Sequence, residues 1–190
     1  WYSDQDKVVF DKSRGWSFNA NLLAELFPEI KIIVTVRDLR SVFGSVEKQH
    51  RATPVFDLSN SAIEKTILSR ADSMFATDGL IGLSVCGVQD LMVRWENVFV
   101  MNYESFTVDP SVKMRELYNF LEIDHFEHDF ENIENVSNEP DELWLNKFPH
   151  KGDGTVQPTD RKEWADYMTQ DMGQTIQNLY PKYNELFGYR

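Results

Sequence analysis

The sequence predicts an α/β fold with a central parallel sheet flanked by helices. Three observations carry this. Lys31-Ile32-Ile33-Val34-Thr35-Val36 is apolar on both faces, the pattern of a strand buried in the middle of a parallel sheet. Helical apolar spacing stands on either side of it. A shorter β-branched run, Val8-Val9-Phe10, precedes the first of those helices and reads as another buried strand. Strand, helix, strand, helix from Val8 to His50 is a βαβα unit, for which a right-handed crossover is expected.

Each element has a local reason. Asp11–Trp16 breaks the first run, and Ser17 is placed to cap a helix. Phe18, Leu22, Leu23, Leu26 and Phe27 give that helix an apolar face, and Pro28 ends it. Arg37-Asp38 closes the central strand, and helical spacing runs from Leu39 to His50. A looser segment, Arg51–Asn60, follows. Ser61 opens a helix to Ala76, with Ile63, Ile67 and Phe75 inward. Asp78-Gly79 is a turn signal, and Leu83–Trp95 is helical despite its glycine. Val98–Met101 is another strand, ending at Asn102-Tyr103-Glu104. Asp109-Pro110 is a strong helix start, with Met114, Leu117, Tyr118 and Leu121 as its stripe. Residues 136–160, with three prolines and two glycines, read as a long loop. From Asp160 to Phe187 the chain is mostly helical, broken at Pro181.

The 190 residues suit one domain, 1–190, with 42% hydrophobic residues to fill a core. There is no apolar run long enough for a membrane span. Lone Cys86 excludes an internal disulfide and a multi-cysteine metal site, and a reducing, cytoplasmic location is the default expectation. The chain opens at Trp1 rather than Met, so an upstream segment is expected to be missing.

The net charge of −12 argues against a nucleic-acid partner. It is unevenly spread. Residues 7–51 hold eight Lys/Arg against five Asp/Glu, a local +3, so the remainder carries −15. Residues 117–146 hold nine acids and no Lys or Arg. The N-terminal third is a cationic island, and a small polyanion is its natural ligand. Its alternative is plain unevenness on a solvated surface.

In an open parallel sheet, ligands bind beyond the carboxyl ends of the strands. Those ends carry Lys12 and Arg14, then Arg37 and Asp38, then Tyr103 and Glu104. Lys12 and Arg37 are expected to approach at one edge. The helix after Arg37 adds a positive dipole end and free amides. Ser41 and Ser45 share one of its faces. Arg37 and Ser45 together would make a two-pronged phosphate site. The competing reading pairs Arg37 with Asp38 or another acid and leaves Ser45 in solvent. His125 and His128, amid acids, read as surface residues, and no metal site is signalled.

These residues resemble the sulfotransferases that use 3′-phosphoadenosine-5′-phosphosulfate (PAPS) as sulfuryl donor. The likeness lies in four pieces in order: VVFDKS (8–13), LAELFPEIKIIVTVRDLRSVFGS (23–45), FVMNYESFTVDP (99–110) and MRELYNFLEI (114–123). A looser match runs from Thr155 to Trp164. The pattern looks closer to the tyrosylprotein and bacterial branches than to the cytosolic small-molecule branch. The resemblance implies a P-loop-like three-layer sandwich that transfers a sulfuryl group to a hydroxyl acceptor, either a small molecule or a peptide. It implies Arg37 and Ser45 at the donor's 3′-phosphate, Lys12 at the transferring sulfuryl group, and Tyr103 on the nucleotide side. Lys151-Gly152 lies where the cytosolic branch closes a loop over the 3′-phosphate. The product, adenosine 3′,5′-bisphosphate, would fit the same site, and no metal is needed.

The chain also departs from the family. The Gly/Ser/Thr-rich loop that wraps the 5′-phosphosulfate is absent and is expected upstream of Trp1, together with the first strand. Arg14 stands where the cytosolic branch has its basic His, and no general base can be named from Asp11 or His50. Gln49 stands where tyrosylprotein enzymes have a further phosphate-binding Arg, with Lys48 and Arg51 nearby. Acceptor contacts are expected from loops 51–60 and 136–158. Two other readings stay open. One is a nucleotide-kinase-like enzyme using Asp38 for Mg²⁺. The other is a non-catalytic module that binds adenosine bisphosphate, or binds a partner through its acidic face.

Overall fold

The computed structural model describes residues 8–52, 65–134, 136 and 154–189. Two strands, β1 (Ile32–Val36) and β2 (Val98–Asn102), pair in parallel, with Val34 opposite Val100 and Val36 opposite Asn102. Between them run α2 (Leu39–Ala52), α3 (Ile67–Phe75) and α4 (Leu80–Arg94). A short α1 (Ala20–Leu26) precedes β1, and α5 (Tyr103–Val108) and α6 (Pro110–Leu121) follow β2. The chain closes with a 3₁₀ turn at Glu163–Asp166, then α7 (Gln170–Leu179) and α8 (Pro181–Phe187).

Strand alternation gives the sheet two apolar faces. Ile32, Val34, Val36, Val98 and Val100 face a core built from Phe43 of α2, Phe75 of α3, Val85 and Leu91 of α4, Trp164, and Ile176 of α7. Phe99 turns the other way and meets Phe120 of α6, ring centroids 5.4 Å apart. Both faces of the pair are thus covered, as parallel strands require. The helix caps follow the residue types. Asp109 accepts from the amide of Val112 ahead of Pro110, Thr66 caps α3, and Thr169 caps α7.

Several expectations need correction. Val8-Val9-Phe10 is not a strand; the three side chains are 60%, 48% and 64% exposed. The following residues are drawn to α4 instead of the sheet. Arg14–Phe18 forms a 3₁₀ turn capped by Ser13, and Trp16 donates to the Asp11 carboxylate at 2.9 Å. This turn lies so close to α4 that a Cβ on Gly87 would stand 2.6 Å from the Ser17 hydroxyl. The predicted βαβα unit therefore reduces to α1, β1 and α2. Helix α1 begins at Ala20 and buries only Ala20 and Leu23, while Phe18, Leu22, Leu26 and Phe27 remain about half exposed. Ser61 and Ile63 lie outside the described residues, and the helix they were to open begins after Thr66. Helix α5, between β2 and Asp109, was not foreseen.

Two buried carboxylates fasten these elements. Glu47 of α2 is 1% exposed and takes a bidentate ion pair from Arg70 of α3, both contacts at 2.6 Å. Glu104 at the head of α5 accepts from the amide of Asp38 at 3.0 Å and from the Tyr189 hydroxyl at 2.8 Å. Burial, then that hydrogen bond to Glu104, pushes the Tyr189 hydroxyl far above the ordinary tyrosine range.

Candidate functional site

The parallel register decides where the site lies. Val36 and Asn102 are paired, so the next residues, Arg37 and Tyr103, emerge side by side at the carboxyl ends of the strands. The Arg37 guanidinium sits over the Tyr103 ring, 4.5 Å from its centroid. The backbone of Arg37 is clasped from the C-terminal helices. The buried Tyr183 hydroxyl donates to its carbonyl at 3.0 Å and accepts from its amide at 3.3 Å. Burial holds that hydroxyl protonated well above its usual range.

The Arg37 side chain has no carboxylate partner among the described residues, and its buried Nε finds no hydrogen-bond partner. Asp38, the acid beside it in sequence, is committed elsewhere. It accepts from the backbone amide of Arg40 at 2.8 Å and pairs with the Arg40 guanidinium at 2.6 Å. Of the partners that the competing reading of Arg37 allowed, Asp38 is thereby taken: it belongs to Arg40. This pairing also corrects one expectation about α2, because the Asp38 carboxylate, not an external anion, takes the Arg40 amide.

A cleft of about 300 Å³, its open mouth included, lies beside Arg37. Its floor is the face of α2 that carries Ser41, Gly44, Ser45 and Lys48, and its far wall is Glu163, Trp164 and Tyr167. Ser41, Ser45 and Lys48 recur at helical spacing, so one face of α2 supplies two hydroxyls and an ammonium. The far wall approaches closely because two glycines leave room for Trp164. A Cβ on Gly44 would stand 2.9 Å from the Trp164 backbone, and one on Gly173 would stand 2.4 Å from its ring. This seats Glu163 over Lys48, with Nζ and Oε1 2.6 Å apart. The hydrogen bond to Glu163, and then its charge, raise the Lys48 pKa. Arg51, one turn further along α2, is spent on the carbonyls of Asp166 and Tyr167.

Gly44→Ala should move Trp164 outward and open the cleft. Overpacking of this kind costs about 1–3 kcal/mol. A melting curve and tryptophan fluorescence would read both effects. An unchanged melting temperature with unchanged emission would contradict the close packing.

Of the residues singled out from sequence, Arg37 and Ser45 line one cleft, and Tyr103 stacks on Arg37. Lys12 is exposed on the segment before the 3₁₀ turn and is not among the residues lining the cleft. Lys151 and Gly152 lie outside the described residues. His128 is half-buried rather than on the surface, where it shares a hydrogen bond of 3.0 Å with the Tyr118 hydroxyl. Among the described residues, no three His, Cys, Asp or Glu side chains gather as a metal site. No helix among them is long and apolar enough to cross a membrane. Sequence reasoning missed Glu163, Trp164 and Tyr167. Lys48 was noted only as a cation near Gln49, although its spacing of three from Ser45 puts it on the same face of α2.

A guanidinium with no carboxylate partner among the described residues, two hydroxyls and an ammonium thus stand together at the carboxyl end of the parallel strand pair of an α/β fold. A model of the sulfotransferase family matches residues 2–128, and the chain belongs to that family. Comparison with curated proteins and with solved structures finds no match. The matched span contains β1, α2 and β2, and so Arg37, Ser45, Lys48 and Tyr103. It ends before Glu163 and Tyr183.

Proposed function

We propose that this chain carries the 3′-phosphate end of the donor site of a PAPS-dependent sulfotransferase acting on a hydroxyl acceptor. The observation that carries the reading is Arg37, a cation held at a strand end with a buried Nε that no described residue satisfies. A buried donor without a partner is costly, and a phosphate oxygen is the partner this chemistry asks for. Ser45 and Lys48 stand on the neighbouring helix, about one turn apart, on the cleft side. Tyr103 keeps the guanidinium plane in place through its ring.

PAPS, when bound, supplies the activated sulfuryl group. This chain's own residues bind and orient its phosphate end. Lys12 is the residue we assign to the sulfuryl end. It is exposed and has no ion-pair partner among the described residues, so its charge is available. The three-layer P-loop-like architecture belongs to this reading, with β1 and β2 as two strands of its parallel sheet. The kinase-like alternative needs Asp38 for Mg²⁺. That carboxylate already holds Arg40 through three side-chain hydrogen bonds of 2.6–3.2 Å.

Calorimetric titration tests the proposal. Adenosine 3′,5′-bisphosphate should bind, adenosine 5′-monophosphate should bind much more weakly, and affinity should fall as salt rises, because the ligand is a polyanion. Equal affinity for the two nucleotides would remove the 3′-phosphate from the site.

A further inference from the structure

Arg37 is fixed at its backbone as well as at its side chain. Ile32 donates its amide to Asn97, on the β2 side of β1. Backbone groups alternate along a strand, so the amide and carbonyl of Arg37, an odd number of residues further on, face the opposite edge. Among the described residues β1 has no second neighbouring strand there. The Tyr183 hydroxyl of α8 stands in for one: it accepts from the Arg37 amide at 3.3 Å and donates to the Arg37 carbonyl at 3.0 Å. Tyr183 is itself held. It is 4% exposed, and its ring meets that of Phe187 at 4.8 Å and stacks on that of Tyr189 at 6.0 Å. Tyr189 fastens the neighbouring strand end, accepting from the Asn102 side chain at 2.7 Å and donating to Glu104 at 2.8 Å. Arg37 and Tyr103 therefore start from two strand ends that one stacked tyrosine pair holds together.

We infer that Tyr183 is a positioning residue of this anion site: by clasping the backbone of Arg37 it sets the guanidinium in place before the ligand arrives. The inference rests on the phosphate-site reading above and deepens it. Tyr183 lies beyond the span that the family model matches, so the C-terminal helices supply a part of the site that this span does not contain. A guanidinium is a directional fork, and its hydrogen bonds to a phosphate depend on where its stem begins and how its plane is turned. The Tyr103 ring sets the plane, and Tyr183 sets the origin of the stem. A binding group fixed beforehand spares the ligand the cost of ordering it. Without the hydroxyl the strand end at Arg37 is released, and the ligand has to order it on binding.

Tyr183→Phe keeps the ring and removes the clasp. Calorimetry with adenosine 3′,5′-bisphosphate should show about a tenfold loss of affinity, within the loss expected for removing the guanidinium itself. In an Arg37→Ala background the same change should alter affinity by less than about twofold, because its effect passes through the guanidinium. Tyr180→Phe is the structural control. Its hydroxyl donates to the Phe75 carbonyl, and Phe75 does not line the cleft. That variant should melt earlier yet bind the bisphosphate within about twofold of the unaltered chain. Exchange of the Arg37 amide, followed on the unaltered chain, reads the clasp without any substitution. It should be slow in the free chain and unchanged by the bisphosphate. An amide that exchanges fast until the bisphosphate binds would mean that the ligand, not Tyr183, orders the strand end. Equal losses for Tyr183→Phe in both backgrounds, or no loss in either, would reduce Tyr183 to structural support and leave the phosphate site standing. If the unaltered chain does not prefer the bisphosphate to adenosine 5′-monophosphate, the phosphate-site reading fails and takes this inference with it.

Discussion

Arg37→Ala should weaken binding of adenosine 3′,5′-bisphosphate by about 1.5–3 kcal/mol, roughly ten- to a hundredfold, the scale of hydrogen bonds to charged groups. The same substitution should leave stability nearly untouched. The guanidinium makes no hydrogen bond to a described residue, and its Nε is buried without a partner. Only its contact with the Tyr103 ring is lost, worth about 0.5–1 kcal/mol at an exposed site. Binding and stability are thus expected to separate, which is the signature of a residue kept for a ligand. Arg37→Lys restores the charge without the fork and should recover part of the affinity. Titration calorimetry and a thermal melt on the three proteins read both quantities. Unchanged affinity in Arg37→Ala would remove Arg37 from the phosphate site.

Glu47→Ala should have the opposite profile, with a large loss of stability and a cleft that still binds while the protein is folded. Glu47 is among the most completely buried side chains, and Arg70 opposite it is 12% exposed at the side chain. Both carboxylate oxygens are engaged at 2.6 Å. Removing the acid takes the bidentate carboxylate from a largely buried guanidinium between α2 and α3, a change that costs about 3–5 kcal/mol. For a chain of this length each kcal/mol lowers the melting temperature by about 2–4 °C, so a fall of about 6–20 °C is expected. Replacing both partners with methionine removes the buried charge as well and should recover much of the loss. A single-variant loss below about 1 kcal/mol would mean that water reaches Arg70 and solvates it.

Local pattern was enough for β1, α2, β2 and α6. The Ile32–Val36 run is apolar on both faces, and Asp109-Pro110 marks a helix start that the structure reproduces with the Asp109 cap in place. The candidate site was legible where it rests on short-range spacing. Arg37 follows a recognisable strand, and Ser41 and Ser45 share a helix face.

The Val8–Phe10 run failed for a definite reason. Strand propensity is weak without a pairing partner, and the residues after it are fastened to α4 by the Gly87–Ser17 contact. The fate of Asp38 was likewise undecidable locally. It lies beside both Arg37 and Arg40, and Arg40 takes it while also reaching Gln177 and the Trp164 ring.

Residue order alone was enough for the central strand, the helix that carries the serine face, the family, and the cation at the strand end. Long-range packing settled which cations are open. Arg37 has no acid partner among the described residues because Arg40 claims Asp38. Lys48 is paired because Trp164, wedged against two glycines, brings Glu163 across 115 residues of sequence. Side-chain charge is written in the residue type, but its availability depends on contacts between distant segments, which no local pattern encodes.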